Sequence, residues 1–398
     1  MLRFLLFGCF LTIGLKCDNQ TEPLIDDEYP EYNDPRCLSG CFFESNILQV
    51  STMKIFPTNC STVCAPYSLH ISIETDLNEK QLTNILKNMK HLIGSLYVFR
   101  SKFTSAKFLA NLETIDCYNI GTLTISLNPK MIEVGMTSLS NVSCRVDISA
   151  NGLYRLNMPK MKLVQSPYAN YSTLDLEFMS NSDDFCVTVE EMSNFMESRE
   201  VVLDRFGRTT GKYCELSNTT NLPQKTCDIG KVSLENLDSG CVNLRGDLLI
   251  EEGDEEHVHK LETLETLFGN LHITKTNLTN TNFLGKLKNV MSITEDQPTI
   301  LVDFNELLTN VSFPSLNRIL STVHVSIQFN NNSKELLQNP SFCYNILNSL
   351  NNQTTYRTRF DGKVCEDVEK SIVKDDKSKG SAFSNGLWVL MILTLVFV

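Results

Sequence analysis

The sequence predicts a β-solenoid that is built twice in tandem from short stacked strands. The first observation is an internal repeat: the residues from Gly94 to Ile115 return 175 positions later, from Gly269 to Val290. The second is a series of short segments with alternating apolar residues, which recur at intervals of 23–28 residues. A unit of this length cannot bury its apolar face alone, so neighbouring units stack into a continuous core.

Identity between the two copies is concentrated at glycine and large apolar positions. The pairs that match without a gap are Gly94/Gly269, Leu96/Leu271, Thr104/Thr279, Phe108/Phe283, Leu109/Leu284 and Leu112/Leu287. A duplicated domain explains this pattern, and 398 residues are enough for two or three domains.

Period-two alternation predicts the strands, because successive side chains of a strand point to opposite faces. In the first copy the inward residues are Leu69, Ile71 and Ile73, then Leu96 and Val98, then Leu123, Ile125 and Leu127, then Val146 and Ile148, then Leu174, Leu176 and Phe178. In the second copy they are Leu248 and Ile250, Leu271 and Ile273, Ile300 and Val302, and finally Val323, Val325 and Ile327.

One amphipathic helix is predicted ahead of the repeated motif in each copy. Acidic residues near each start favour the helix dipole. Helical spacing is shown by Leu82, Ile85, Leu86, Met89 and Leu92 in the first copy and by Val258, Leu261, Leu264 and Leu267 in the second.

Both ends of the chain carry apolar segments. Residues 1–17 contain an apolar run that is too short to span a bilayer, which predicts a cleaved secretory signal peptide. Residues 18–36 are acidic with no apolar period, which predicts a disordered leader. Residues 369–398 form a polar spacer and a hydrophobic tail.

The tail has two interpretations. Small residues and a polar spacer before a short terminal apolar run are typical of a glycosylphosphatidylinositol (GPI) attachment signal. A membrane span from about Ala382 to Val398 is the alternative, at the lower length limit for a helix and without basic residues after it. The lipid anchor is favoured. Both interpretations route the protein through the secretory pathway to the extracellular face of the plasma membrane, where it is attached or shed.

Cysteines and sequons agree with this location. Of the 14 cysteines, Cys9 and Cys17 fall in the signal segment, which leaves an even number for disulfides. These are Cys37, Cys41, Cys60, Cys64, Cys117, Cys144, Cys186, Cys214, Cys227, Cys241, Cys343 and Cys365. Sequons predict glycosylation at Asn19, Asn59, Asn141, Asn170, Asn218, Asn277, Asn310, Asn331 and Asn352.

The first four of these cysteines form two Cys-x3-Cys pairs. Such pairs can hold zinc, but the secretory context favours disulfides. The sequence leaves the connectivity open, and two parallel bridges of equal span, Cys37–Cys60 and Cys41–Cys64, are the expected pairing. A bridge between Cys117 and Cys144 is also expected, because each precedes a predicted strand of neighbouring rungs.

The pattern Gly-x-Leu-x-Ile/Val, followed by Phe-Leu-x-x-Leu-x-x-Ile/Val, resembles the receptor L domain of the insulin and EGF receptor families. It occurs in both copies, behind a predicted helix and between cysteine pairs, and the resemblance covers roughly residues 60–216 and 225–368. It is most similar to the nematode group of small proteins with two L domains and no kinase. The resemblance implies a right-handed single-stranded β-helix, leucine-rich-repeat-like, with capping helices and disulfides.

The expected organisation is then L domain 1 at residues 37–216 and L domain 2 at residues 225–368, joined by a short polar linker. In the full receptors a furin-like cysteine-rich region separates the two copies and the chain continues into a kinase. Neither is expected here, so direct signalling is not expected.

No catalytic motif accompanies this scaffold. The sequence has no P-loop, no G-x-G-x-x-G and no G-x-S-x-G, and a net charge of −12 argues against nucleic acid. His257 and His259 lie among glutamates, but residues two apart on a helix face different ways, so we expect a solvated acidic surface. We expect no enzyme activity, no cofactor, no metal and no small-molecule substrate.

Binding is the expected role, because solenoids present an extended sheet face. Exposed aromatic residues often anchor interfaces, although a loop or cap that covers them is the alternative. The candidate binding residues are His70, Tyr97, Phe99, Arg145, His272 and His324. The expected partner is a secreted peptide or a protein ectodomain, with a decoy or co-receptor for insulin-like or EGF-like peptides as the first hypothesis and a structural or adhesive surface glycoprotein as the second.

The tail generates a direct prediction. If it is a lipid-attachment signal, phosphatidylinositol-specific phospholipase should release the protein from the surface of cells that express it, as measured by immunoblot of the medium. Retention on the cells after treatment would support the membrane span instead.

Overall fold

The computed structural model describes residues 34–117, 121–164, 176–178, 182–197, 212–216, 224–294, 297–349 and 358–371. All the elements described below belong to one compact unit, Arg36–Val398. The signal peptide, most of the leader, the tail from residue 372, Leu174 and the sequons at Asn19, Asn170, Asn218 and Asn352 lie outside the described residues.

The first half of the chain forms two parallel five-stranded sheets. Its strands are β1 Thr62–Cys64, β2 Leu69–Ser72, β3 His91–Ile93, β4 Leu96–Phe99, β5 Thr114–Asp116, β6 Thr122–Ser126, β7 Asn141–Val142, β8 Arg145–Ser149, β9 Lys162–Leu163 and β10 Leu176–Glu177. The odd-numbered strands form sheet 1 and the even-numbered strands form sheet 2, each in chain order. The chain therefore passes once through each sheet in every rung.

The second half repeats this arrangement after a short parallel pair, β11 Cys186–Val187 and β12 Lys212–Tyr213. Its strands are β13 Thr226–Asp228, β14 Asn243–Arg245, β15 Leu248–Ile250, β16 Thr266–Phe268, β17 Leu271–Thr274, β18 Asn289–Met291, β19 Ile300–Asp303, β20 Arg318–Leu320, β21 Ile327–Asn330 and β22 Thr358–Phe360. Sheet 3 contains β13, β14, β16, β18 and β20, and sheet 4 contains β15, β17, β19, β21 and β22.

Inward side chains of each sheet stack in direct register. Leu69 lies opposite Leu96, which lies opposite Leu123, and all three are fully buried. This confirms the parallel stacked sheets, whereas the handedness and the caps stay predictions. Two predicted inward residues of the first copy were wrong: Ile73 is 73% exposed and Leu127 is 40% exposed, because their strands end at Ser72 and Ser126.

The described α-helices are short. They are α1 Glu79–Leu86, α2 Val189–Phe195, α3 Lys334–Leu337 and α4 Pro340–Ser349, and residues 365–371 are also helical. The first predicted helix is present, with Leu82, Ile85 and Leu86 buried and Asn78 forming a capping box with Gln81. It ends before Leu92, which lies in β3 rather than on the helix.

The predicted α-helix of the second copy was wrong. Val258–Leu261 is a single 3-10 turn, and Leu267 lies in β16. The connection from β15 to β16, Glu251–Glu265, is three residues shorter than Ile73–Lys90 in the first half. It therefore has too few residues for a second α-helix of the same length.

Gly94 and Gly269, identical in the two copies, occupy the corner between the two sheets of their halves. Their φ angles are +133° and +157°, a region that favours glycine. A Cβ atom on Gly94 would lie 2.4 Å from the carbonyl oxygen of Ala65, and one on Gly269 would lie 2.3 Å from that of Gly246. Any side chain there would push neighbouring rungs apart.

Buried asparagines close the other corner, where strands of sheet 2 end. A residue with positive φ follows the strand, Leu127 after β6 and Ala150 after β8, and an asparagine comes next. Asn128 accepts from the Ser101 N–H at 2.7 Å and donates to the Val98 carbonyl at 2.9 Å, both on the previous rung. Asn151 repeats this geometry one rung later.

The strands of sheet 4 end in the same way. Asn305 accepts from the Thr276 N–H at 3.0 Å and donates to the Ile273 carbonyl at 3.0 Å. Asn332 accepts from the Asn305 N–H at 3.1 Å and donates to the Val302 carbonyl at 2.8 Å. These side chains satisfy backbone groups that the turn leaves without a sheet partner. We call Asn128, Asn151, Asn305 and Asn332 the asparagine ladder.

Six disulfides join the described cysteines. They are Cys37–Cys64, Cys41–Cys60, Cys117–Cys144, Cys186–Cys214, Cys227–Cys241 and Cys343–Cys365. The predicted Cys37–Cys60 and Cys41–Cys64 pairing was wrong. A turn closed by the Cys41 N–H and the Leu38 carbonyl reverses the chain, so Cys37 meets Cys64 at the end of β1 and Cys41 meets Cys60, two residues before β1 begins.

The ladder generates a stability prediction. Asn305→Ala leaves the Thr276 N–H and the Ile273 carbonyl buried without partners, so the free energy of unfolding should fall by about 2 kcal/mol or more in urea titrations. Asn345→Ala, at an exposed position of α4, is the matched control and should change it by less than about 0.5 kcal/mol. Equal stabilities of the two variants would contradict the role of the ladder.

Candidate functional site

The outward side chains of sheet 2 form one continuous row across its strands. His70, Tyr97, Thr124, Asp147 and Glu177 lie in successive register. All five are partly exposed, whereas their neighbours on either side along each strand are buried. We call this row, with Phe99 and Arg145, the sheet-2 face.

His70 and Tyr97 form an aromatic pair at one end of the face. Their ring centroids are 4.6 Å apart with the planes tilted by 51°. Burial lowers the pKa of His70 below its usual value, and the nearby Glu74 carboxylate raises that pKa in part. Tyr97 thus lies against a neutral ring and not against a solvated cation at neutral pH.

Phe99 lies one outward position further along β4 and packs against a cation. The Arg100 guanidinium carbon is 5.0 Å from the Phe99 ring centroid, a distance suited to a cation–π contact. Arg100 has a φ of +48° and begins the turn that ends the strand. The sequence did not single out Arg100, because its contact depends on that backbone turn.

The opposite end of the face is charged. The Arg145 guanidinium donates to the Glu177 carboxylate at 3.2 Å. One carboxylate oxygen of Asp147, next along β8, is buried without a hydrogen-bond partner in the described part of the chain. The face therefore combines an aromatic end, a hydroxyl centre at Thr124 and an acidic end.

His272 lies on a separate surface, the outward row of sheet 4. That row runs through Leu249, His272, Leu301, Gln328 and Arg359 in register. His272 Nε2 is 2.9 Å from Asp303 Oδ1, a carboxylate that the sequence did not identify. Leu249 is 45% exposed beside it. We call this row the sheet-4 face.

The placement of His324 on a strand was wrong. The predicted strand Val323–Ile327 is instead Ile327–Asn330, so Ile327 and Phe329 are the inward pair and His324 lies in the exposed turn before it. The turn after β20 is longer than its counterpart between β7 and β8, which moves the strand four residues along the chain. His324 belongs to neither face.

Five sequons fall on described residues, and all five asparagines are exposed. They are Asn59, Asn141, Asn277, Asn310 and Asn331. Asn141 lies in β7 of sheet 1, and the other four lie outside the named strands. None of these five lies within a strand of sheet 2 or sheet 4.

Outside the two faces, the described residues contain a cleft but no cluster of metal ligands and no membrane-spanning helix. A cleft of about 730 Å³ lies at the end of the second half, and its lining includes the polar or charged side chains of Lys334, Gln338 and Asp361. Within the described ranges, no three His, Cys, Asp or Glu side chains converge as metal ligands. No helix in those ranges is long and apolar enough to span a bilayer.

The His70 environment generates a pH prediction. In the unfolded chain His70 gains a proton near pH 6.5, whereas its lowered pKa keeps it neutral in the fold, so the free energy of unfolding should fall as pH drops below that value. His70→Phe should remove this part of the dependence in urea titrations at pH 7.5 and 5.5. Glu74→Gln should enlarge it, and an unchanged profile in both variants would contradict the burial of His70.

Known proteins have sequences that are similar to this chain. The sequence model of the receptor L domain family matches residues 59–161 and 240–353, more than half of the chain. The chain is also similar to protein irld-34 of Caenorhabditis elegans, with 24% identity over 344 residues that cover 84% of this chain and 78% of that protein. Six disulfides and this family indicate a secreted or extracellular protein with a ligand-binding role. The chain therefore belongs to the receptor L domain family and carries two copies of that domain.

Proposed function

We propose that this protein is an extracellular binding protein that recognises a secreted peptide or another ectodomain through the sheet-2 face. The observation that carries the proposal is the His70–Tyr97 pair beside Phe99, at a centroid distance of 4.6 Å between the paired rings. Aromatic side chains that are held on a sheet lose little conformational entropy on binding and frequently dominate interface energies.

The surroundings of this face support the proposal. None of the five described sequon asparagines lies in a strand of sheet 2, which supports an accessible sheet-2 face, whereas Asn331 directly follows β21 of sheet 4. The inward neighbours Leu96 and Val98 are fully buried, which fixes the positions of Tyr97 and Phe99. A rigid face of this kind suits a preformed protein surface.

The finer architecture is part of the proposal. Each half is a right-handed β-solenoid, and the two domains extend over residues 37–216 and 225–368. Helices α2 and α4, with Cys186–Cys214 and Cys343–Cys365 beside them, cap the ends of the two halves. The supporting observation is the alternation of successive strands between two parallel sheets.

The cellular role follows from the ends of the chain. A signal peptide at residues 1–17 and an anchor signal in residues 369–398 make the protein a surface-attached glycoprotein, and the absence of a catalytic motif from the sequence favours binding over catalysis. A non-signalling decoy or co-receptor for insulin-like or EGF-like peptides fits these features.

An adhesive surface glycoprotein is the second candidate function. The sheet-4 face favours it, because Leu249 is exposed there beside His272 and Leu301 and offers a second, separate contact surface. Two contact surfaces on one chain allow bridging between ectodomains. Aggregation of beads coated with the ectodomain, in the absence of peptide binding, would support this role.

The sheet-2 face generates the binding prediction. Tyr97→Ala and Phe99→Ala should each weaken binding to the peptide partner at least about tenfold, measured by surface plasmon resonance against a panel of insulin-like and EGF-like peptides. Tyr154→Ala, at an exposed tyrosine outside both faces, is the matched control and should retain wild-type affinity. Binding that is unaffected by both face variants would contradict the role of the sheet-2 face, and no binding to any peptide of the panel would contradict the decoy or co-receptor role.

A further inference from the structure

The outward face of sheet 3 is covered, unlike the outward face of sheet 2. Phe268, Met291 and Leu320 on this face, together with Ile293, belong to the same buried apolar cluster as the core of the first half. The inward residue beside Phe268, Leu267, belongs instead to the core of the second half. Sheet 3 thus contributes to two cores, one on each of its faces.

Tyr213, at the end of β12, connects the first half to this face. Its ring centroid is 5.5 Å from that of Phe268 in an edge-on arrangement, and its hydroxyl donates to the Met291 carbonyl at 2.9 Å. Burial raises the pKa of the Tyr213 hydroxyl well above its usual range, and the nearby Asp247 carboxylate adds to this shift. A buried hydroxyl with its partner satisfied fixes the rotation of the ring as well as its depth.

Arg245 holds the backbone that follows Tyr213. It pairs with Asp228 through two hydrogen bonds of 2.9 and 2.8 Å, and it donates to the Cys214 carbonyl at 2.8 Å and the Tyr213 carbonyl at 3.1 Å. A guanidinium with donors committed to a carboxylate and two carbonyls has a single favourable position. The last residues of the first half are therefore tied to β13 and β14.

Two further contacts extend the interface toward the two edges of sheet 3. At the edge strand β20, the Arg318 guanidinium donates to the Met196 carbonyl just beyond α2. Just beyond the other edge strand, β13, Lys231 forms an ion pair with Glu215 at 3.2 Å. We call the full set the joint: the first half touches β14 at Arg245, β16 at Phe268, β18 at Met291 and β20 at Arg318, and Asp228 of β13 holds Arg245 in place.

We propose that the joint makes the two L domains one rigid body, in which the outward face of sheet 3 serves as an internal interface and is unavailable to partners. Domains in one chain move relative to each other unless their interface is extensive and apolar, and contacts from the first half reach four of the five strands of sheet 3. A partner is then bound without closure of one L domain on the other. This inference goes beyond the proposed function, because it holds for any partner.

Differential scanning calorimetry of the secreted protein tests the joint without a ligand. The wild type should unfold in one transition, with equal calorimetric and van't Hoff enthalpies. Arg245→Met leaves Asp228 and two carbonyls without their donor and should split the profile into two transitions. Arg145→Met, which removes an exposed arginine from the sheet-2 face, is the matched control and should keep a single transition.

A milder variant decides the matter if Arg245→Met is not secreted. Tyr213→Phe removes only the hydroxyl that donates to Met291 and should lower the transition midpoint, whereas Tyr154→Phe at an exposed site should not. Two separate transitions in the wild type would overturn the proposal. So would a single, unshifted transition in Arg245→Met, or in Tyr213→Phe where Arg245→Met is not obtained.

Discussion

The architecture depends on how the chain turns at the end of each strand of sheets 2 and 4. A left-handed residue there points one backbone N–H and one carbonyl away from the ladder of parallel hydrogen bonds. Unsatisfied, each buried group would cost roughly 1–3 kcal/mol. The asparagine that follows bonds to both types of group on the previous rung, as Asn128 and Asn305 show in the two halves. Stacking of rungs is therefore stabilised by polar side chains inside the core as well as by apolar burial.

The sheets differ in how much of their outward face is covered. The outward faces of sheets 2 and 4 carry partly exposed rows, whereas sheet 3 is covered by the first half of the chain. Sheet 1, the counterpart of sheet 3, is contacted by the start of the compact unit, where Arg36 pairs with Asp116 at 2.5 Å and Cys37 bonds to Cys64. Sheet 1 still presents a partly exposed outward row, with His91, Thr114 and Asn141 in register, so among the described residues the extensive cover is on sheet 3. The sheet-2 face is a candidate for recognition because of its paired aromatic rings.

The features that could be predicted from the sequence are those that produce alternation or repetition. The inward residues of β2, β4, β6 and β8 follow a strict period of two, and Gly94 and Gly269 stood out because a crowded corner excludes every other residue. Sheets 1 and 3 were missed because their strands are two or three residues long, too short to show a period. Leu92 and Leu267 were consequently taken for helix residues. The asparagine ladder escaped because a polar residue in a turn gives no sign that it is buried.

The site was predictable only in part. Tyr97 and His70 were identified from alternation, but their ring contact requires the register of β2 on β4. Arg100 contacts Phe99 only because the backbone turns after β4, and Asp303 contacts His272 from the neighbouring strand. No local sequence pattern encodes either contact. The joint could not be predicted from local sequence patterns, because its contacts join residues that are far apart in the chain. Arg245 and Cys214 are 31 positions apart, and Arg318 and Met196 are 122 positions apart.

Hydrogen exchange at single-residue resolution reports whether the turn amides are satisfied inside the fold. If the asparagine ladder satisfies them, the N–H groups of Ser101, Asn128, Thr276 and Asn305 should exchange as slowly as those of the central strands, in both halves alike. Exchange of these four amides at the rate of exposed loop amides would contradict this role of the ladder.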